Sequence, residues 1–380
     1  MTRALHQSLT GPIASLSLLL LVCVPAASPA DDVPTDRPVV EIKLLGKNVG
    51  RVAWSAQGDR LAFDRLSPDG FYDVFTADPQ SLIARCLTCD PRDFRKKNSL
   101  NPTWQPSGDH LVFQVQSSAK HLKLGPVELA TAERGLYSEL WMIRTDGKDF
   151  WQLTRVGEGG GAILDPHFSH EGHHLLWSER VRSRVGRWGT WVLRVASIKT
   201  KRGVPRLGTP ITLEPGSQKL FLAASTFTPD DRGALISGNR EPGQLENGMD
   251  IYSVNFETRQ LTRLTHSRRA WDEQARFSPL GHKIVWASAS EIALRSPEEA
   301  GGLPPEQLRD LWIMNPDGSD KERLTFFNHS SSPEFIGSAI IDDFAWNPRG
   351  DQIAAHVIYS SRGEIHEALY LIQLDESFRR

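Results

Sequence analysis

Hydrophobic and polar positions along the chain group into a unit that recurs six times: an aromatic residue, a short polar turn, and an apolar β-type run. It reads WSAQGDRLAF from Trp54, WQPSGDHLVF from Trp104, FSHEGHHLLW from Phe168, FTPDDRGALI from Phe227, FSPLGHKIVW from Phe277 and WNPRGDQIAA from Trp346. The aromatics stand 50 to 69 residues apart. Seven positions on come Leu61, Leu111, Leu175, Ala234, Ile284 and Ile353, which predicts a strand, a tight turn and a second strand in every unit. A third apolar segment follows each pair, at Asp73, Leu140, Thr190, Asp250, Asp310 and Ala368. Two of these run into Asp-Gly turns, Asp146-Gly147 and Asp317-Gly318, and a fourth segment usually ends in Leu-Thr.

Six units of four antiparallel strands predict an all-β, six-bladed propeller. Blades buried on both faces explain why the strands are nearly continuously apolar. Trp54, Trp104, Trp141, Trp177, Trp286, Trp312 and Trp346 occupy repeat-equivalent positions and are expected to wedge between blades. Trp271, flanked by acids, is expected at the surface. The sixth unit has no room for a fourth strand before Arg380, whereas Val39 to Leu45 is a β-like run with no unit of its own. That run is expected to supply the outer strand of the last blade, closing the ring and removing exposed edges.

The first thirty residues follow a different pattern. Arg3, the apolar run Ile13 to Val24 and the small residues Ser28-Pro29-Ala30 fit a secretory signal peptide over residues 1–30, leaving one propeller domain over 31–380. Twelve apolar residues fall short of the roughly twenty that span a bilayer, so no membrane span is expected. Val22 stands where a lipoprotein site favours a small residue, which disfavours lipidation of Cys23. A periplasmic or secreted location in a bacterium is the expectation. Composition adds exclusions: 44 basic against 46 acidic residues, with no basic block, argue against a nucleic-acid partner. Three cysteines exclude a disulfide scaffold.

The turn FSPLG, the run DLWIMNPDGSDKERLTF and the leader resemble the TolB-type, WD40-like six-bladed propellers of bacterial periplasms. The resemblance covers Asp31 to Arg380 and implies a binding platform. About twenty residues between leader and first repeat leave no space for the N-terminal α/β domain of authentic TolB. Asp231 also stands where the turn glycine of the fourth unit belongs.

Apparent catalytic motifs fail on context. His170-Glu171-Gly172-His173-His174 matches H-E-x-x-H, yet it occupies the turn of the third unit and cannot present helical i,i+4 histidines to a metal. Cys86-Leu87-Thr88-Cys89 in an extended strand would hold its Cα atoms about 10 Å apart, so a bridge requires a bend at Thr88-Cys89; oxidised and reduced forms both stay open. Gly157 to Gly161 lacks the Lys-Ser/Thr of a phosphate loop, and no G-x-S-x-G elbow occurs. No catalytic residue, cofactor or metal is expected.

Long insertions fall between second and third strands (114–139, 178–189, 237–249, 287–309) and between blades (89–101, 326–343), two classes of loop that emerge on one face. Three positions before the repeat aromatics stand Arg51, Asn101, Asp165, Ala224, Gln274 and Asp343, with Asp272, Glu273 and Asp342 adjacent. They are read as the start of the inner strands around the channel mouth. Either these acids cap backbone amides or they line a cleft for a cation, a sugar or a basic peptide. Arg51, Asn101, Asp165, Asp272, Glu273, Asp342 and Asp343 are the candidate binding residues, whereas Asp59 and Asp351 in the short turns should be neutral. The expected function is a monomeric, non-enzymatic binding or scaffold protein that docks a protein or small ligand there. The alternatives are an enzyme acting on a carbohydrate or peptide with His266 and His329 at the same face, and a purely structural envelope component.

Overall fold

A computed structural model describes residues 37–376 apart from 117–134, 158–160, 183–187, 246–247, 268–269 and 294–295, so the expected leader lies outside the described residues. β1 (Val39–Lys47) is followed by blade one, β2 (Val52–Trp54), β3 (Leu61–Leu66), β4 (Tyr72–Ala77) and β5 (Ala84–Cys86). Blade two comprises β6 (Ser99–Trp104), β7 (His110–Gln116), β8 (Ser138–Arg144) and β9 (Phe150–Gln152). Blade three has five strands where four were expected: β10 (Ala162–Phe168), β11 (His174–Arg182), β12 (Thr190–Lys201), β13 (Val204–Leu207) and β14 (Ile211–Leu213). β13 and β14 share the outer edge of the long β12, one pairing with its distal half and the other with Leu193–Val195. Blade four holds β15 (Leu222–Phe227), β16 (Gly233–Gly238), β17 (Asp250–Asn255) and β18 (Leu261–Arg263). Blade five holds β19 (Asp272–Phe277), β20 (Ile284–Ser288), β21 (Asp310–Met314) and β22 (Glu322–Arg323). β23 (Ser338–Trp346), β24 (Gln352–Ser361) and β25 (Glu364–Leu374) complete blade six.

Each blade is an antiparallel sheet in sequence order, and the first strands β2, β6, β10, β15, β19 and β23 contact one another in a closed circle. β1 pairs antiparallel with β25 from Val39–Leu374 to Lys47–Ala368, so the N-terminal segment is the outer strand of blade six, as the strand deficit predicts.

Two repeated devices hold the ring. The short turns between first and second strands interlock on one face. A Cβ built on Gly58, Gly172, Gly281 or Gly350 lies 2.9–3.4 Å from Pro348, Pro106, Pro229 or Pro279 in the adjacent blade's turn, and these glycines have φ of 72° to 78°. Gly108 meets Gln57 instead. Asp231 takes the turn glycine's left-handed place at φ 56° and uses its carboxylate to accept the backbone N–H groups of His170 (3.0 Å) and Glu171 (3.3 Å) in blade three. The irregular fourth repeat thus substitutes hydrogen bonds for close packing.

On the opposite face, the Leu-Thr ends clasp the start of the third strand. Thr88 Oγ1 accepts the Val74 N–H at 3.0 Å and donates to Asp73 at 2.7 Å. The same acid and threonine, 15 residues apart, recur as Glu139 with Thr154 (2.6 Å), Asp250 with Thr265 (3.1 Å) and Asp310 with Thr325 (2.8 Å). The carboxylates then accept N–H groups of the interblade connections at Gly157, Ser267 and Phe327, which satisfies buried backbone that the fourth strand leaves behind.

Between blades the expected wedges are largely in place. Trp104, Trp177, Trp286, Trp312 and Trp346 are buried, whereas Trp54 and Trp141 are half-buried. Trp271 corrects the expectation of a surface role: it is 2% exposed, packs in the core of blades three and four, and donates its indole N–H to Glu273 at 2.8 Å. One of its flanking acids, Glu273, is its partner. Cys86 and Cys89 are bridged with Cα atoms 5.9 Å apart, because β5 ends at Cys86 and the chain bends over 87–90. His170 to His173 form the β10–β11 turn, which rules out the helical zinc geometry.

Candidate functional site

The inner strands begin earlier than the sequence implies. Asn101, Asp165, Asp272, Glu273, Asp342 and Asp343 lie inside strands, beside breaks in register between first and second strands at 100–103, 164–167, 273–276 and 341–343. Asn101, Asp165 and Gln274 have φ of 53°, 52° and 58° at these bulges. A bulge inserts an extra residue and re-aims its side chain, which here turns polar groups out of the blade and into the centre of the ring.

Six of the seven candidates meet in one ionic network there. Arg51, at the start of blade one, donates Nη1 to Asp165 of blade three at 2.9 Å and Nε to Asp342 of blade six at 3.0 Å, bridging three blades across the channel. Asn101 donates Nδ2 to Asp165 and to the Gln114 side chain, each at 2.9 Å, and its backbone N–H to Asp64 at 2.7 Å. Asp343 accepts Arg276 Nη2 at 2.7 Å and the Val52 N–H at 3.1 Å. Glu273 accepts Arg309 Nη1 at 2.7 Å, and Arg309 Nη2 lies 3.6 Å from Asp342. Asp272 stands apart, held by Ser288 and Ser267 and 1% exposed.

Sequence reasoning missed two of the three cations and the histidine. They are Arg276, Arg309 and His356, whose Nδ1 is 3.7 Å from Asp342, and the last two carry no repeat signal of their own. Arg276 at least was legible, one residue before a repeat aromatic. Their presence changes the electrostatics. Asp64, Asp165, Glu273, Asp342 and Asp343 face three guanidiniums, so the site is a mixed-charge constellation with excess acid rather than a bare negative cleft.

Burial and charge split the titration of these groups. Burial pushes Asp165 up to about 6 against the pull of Arg51, with Glu273 and Asp343 adding to the rise. Asp342 goes the other way: although burial opposes ionisation, Arg51, His356 and Arg309 hold it well below the carboxylate range. His356 is raised, because Asp342 outweighs the burial that opposes its charge. Burial, with Arg276 nearby, holds His167 well below the usual imidazole value.

Exposure separates the members that a partner can reach. The side chains of Arg276, Asp342, Arg51 and Glu273 are 19%, 14%, 12% and 11% exposed, whereas those of Asp165, Asp343 and Arg309 are at most 4% exposed. Arg276 Nε and Arg309 Nε have no hydrogen-bond partner among the described residues. In chemical terms the network can hold charge and present the partly exposed guanidiniums of Arg276 and Arg51. No hydroxyl or thiol among the described residues hydrogen-bonds to His167 or His356. Ser331 Oγ is 2.9 Å from His329 Nδ1, but that pair is exposed and local, and His266 is exposed. A groove of about 490 Å³, lined by Trp54, Gln57, Pro348 and Arg349 among others, opens on the short-turn side. Asp351 there is buried and tied to Asn347, whereas Asp59 is exposed.

No protein-family model matches the chain. It is 23% identical over 334 residues to the Tol-Pal system protein TolB of Anaeromyxobacter dehalogenans, a match that covers 82% of this chain and 65% of that protein, just under two thirds of its length. Among solved structures it is similar to one assigned to TolB of Agrobacterium tumefaciens, with a TM-score of 0.53 and 15% identity over 89% of this chain and 98% of the other. It is also similar to a puromycin-hydrolyzing peptidase of Mycobacterium tuberculosis, with a TM-score of 0.50 and 12% identity over 84% and 52%. At such identities the structural likenesses speak for the fold, and the likeness to TolB that the repeats carry is found in sequence and structure alike.

Proposed function

We propose that this chain is an exported, monomeric, non-enzymatic propeller that docks a protein partner on the face of the long loops, over the ionic network at the channel mouth. The observation that carries the reading is the bridge from Arg51 to Asp165 and Asp342, which gathers charge from separate blades at one central, partly open point. A propeller built for packing alone has no need of buried charge there, and such charge is costly unless fully paired. Arg276, whose side chain is 19% exposed, is the member of the network most open to an acceptor from outside. The likeness to TolB, which is named as a component of the Tol-Pal system, supports a protein partner over a small molecule. Among the described residues no hydroxyl or thiol hydrogen-bonds to His167 Nε2 or to either nitrogen of His356, which favours binding over nucleophilic catalysis.

Cross-linking in the expressing cell captures the partner, and titration at fixed salt then tests the site. Arg276→Gln and Asp342→Asn are expected to weaken binding by about 10- to 100-fold, the scale of a charge-assisted hydrogen bond. Asp59→Asn on the short-turn face is expected to leave it unchanged. Loss from Asp59→Asn alone, or equal loss from all three with melting temperatures unaltered, contradicts the assignment.

A further inference from the structure

Among the described residues, blade three alone carries an extra hairpin between its third and outer strands. The pairing of β12 with β11 ends at Ser197–His174, after which Ile198–Lys201 pair with Leu207–Val204 of β13. Four more residues carry the ribbon about 13 Å beyond the blade, on the short-turn side. The register sorts its side chains into two faces. Ile198 and Leu207 pack into the core, and Pro205 on the same side is buried. The opposite side presents Lys199, Lys201, Val204 and Arg206, all exposed, with exposed Arg202 at the tip.

Two local preferences are broken to keep this charge. Lys199 sits directly across from Arg206, and like charges in that position destabilise a ladder. Arg202 and Gly203 form the two-residue turn at φ 54° and 78°, where Asn or Asp is normally favoured at the first position. The first of these penalties, the charge repulsion, falls when an anionic layer covers the ribbon.

We propose that this basic face docks on an anionic lipid bilayer. The cations lie on a twisted but shallow ribbon, alternate residues about 7 Å apart, which matches a plane of headgroups. Val204 (37% exposed) stands on that face, and Ile211 (57% exposed), opposite Val195, lies on the same side of the sheet, so apolar contacts flank the charges. Pro205 gives the edge strand β13 no N–H at its centre, which disfavours an added peptide strand and with it an acidic protein segment as the occupant.

Co-sedimentation of the chain with vesicles of phosphatidylglycerol and phosphatidylcholine tests this against vesicles of phosphatidylcholine alone. Binding to the anionic vesicles only, weakening as salt rises, is expected. The triple change Lys199→Glu, Lys201→Glu, Arg206→Glu should lower that binding by about a hundredfold, at roughly fivefold per cation, while Lys321→Glu on another blade leaves it unchanged. Circular dichroism melting checks that the triple variant is folded; if it is not, Lys199→Gln with Arg206→Gln serves, with a smaller loss expected. Equal binding by parent and folded variants, or no binding by the parent at low salt, overturns the proposal. So does polyglutamate binding that depends on the hairpin cations when vesicles do not bind, which assigns the face to an acidic protein segment.

Discussion

Asp272 is the clearest case of a residue whose chemistry the fold resets. Burial raises its pKa from 3.8 to about 6, against hydrogen bonds that favour the ionised form. The folded chain therefore keeps a proton that the unfolded chain has lost between about pH 4 and 6, and this group's contribution to stability falls as pH rises through that window. A shift of about two units corresponds to about 3 kcal/mol. Asp272→Asn should gain on the parent by up to about that amount between pH 4 and pH 7 in urea unfolding, since Asp342 and His356 remain in both proteins. Parallel stability curves would show that folding does not raise the pKa of this carboxyl. At this scale the sequence was legible where residue type and repeat position agreed, as for Asp165 and Asn101. It was less so for partners. The recurrence of an acid 15 residues before each of four threonines was present in the chain, yet only the three-dimensional pairing explains why Leu-Thr is kept. Arg309 and His356 reach the centre from loop and second-strand positions that no periodicity marks.

The elements were more legible than their ends. Strand existence followed from the repeat, but β6, β10, β19 and β23 start several residues before the expected point, because a bulge breaks the apolar pattern within each strand and mimics a loop boundary. The β12–β13 ribbon was hidden for another reason: its outward face is polar and short, so it reads as a connection. β1 was found by counting, and its role is open to test. Deleting residues 37–47 removes the partner of β25 and uncovers apolar contacts of Val39 and Ile42. Burial of two such side chains is worth about 3–6 kcal/mol, so a fall in melting temperature on the order of 10 °C is expected. A truncated chain that melts with the parent would remove β1 from the closure of the ring.

For the molecule as a whole, the two faces have separate characters. Interlocked turns tighten the short-turn face around the channel, and the rim of that same face bears the basic hairpin. Acid-threonine clasps and bulged inner strands shape the long-loop face, where the ionic network opens. A chain so arranged can hold a partner on one side while its rim meets a charged surface on the other. The most direct measurement is photo-cross-linking in the cell with benzoylphenylalanine placed at exposed positions that leave the network intact, Ser331 and Glu298 on the long-loop face and Leu280 and Arg349 in the short turns. Adducts to one protein from Ser331 and Glu298, and none to it from Leu280 and Arg349, are the predicted result. The same protein captured from Leu280 and Arg349 but not from the long-loop positions would contradict the account.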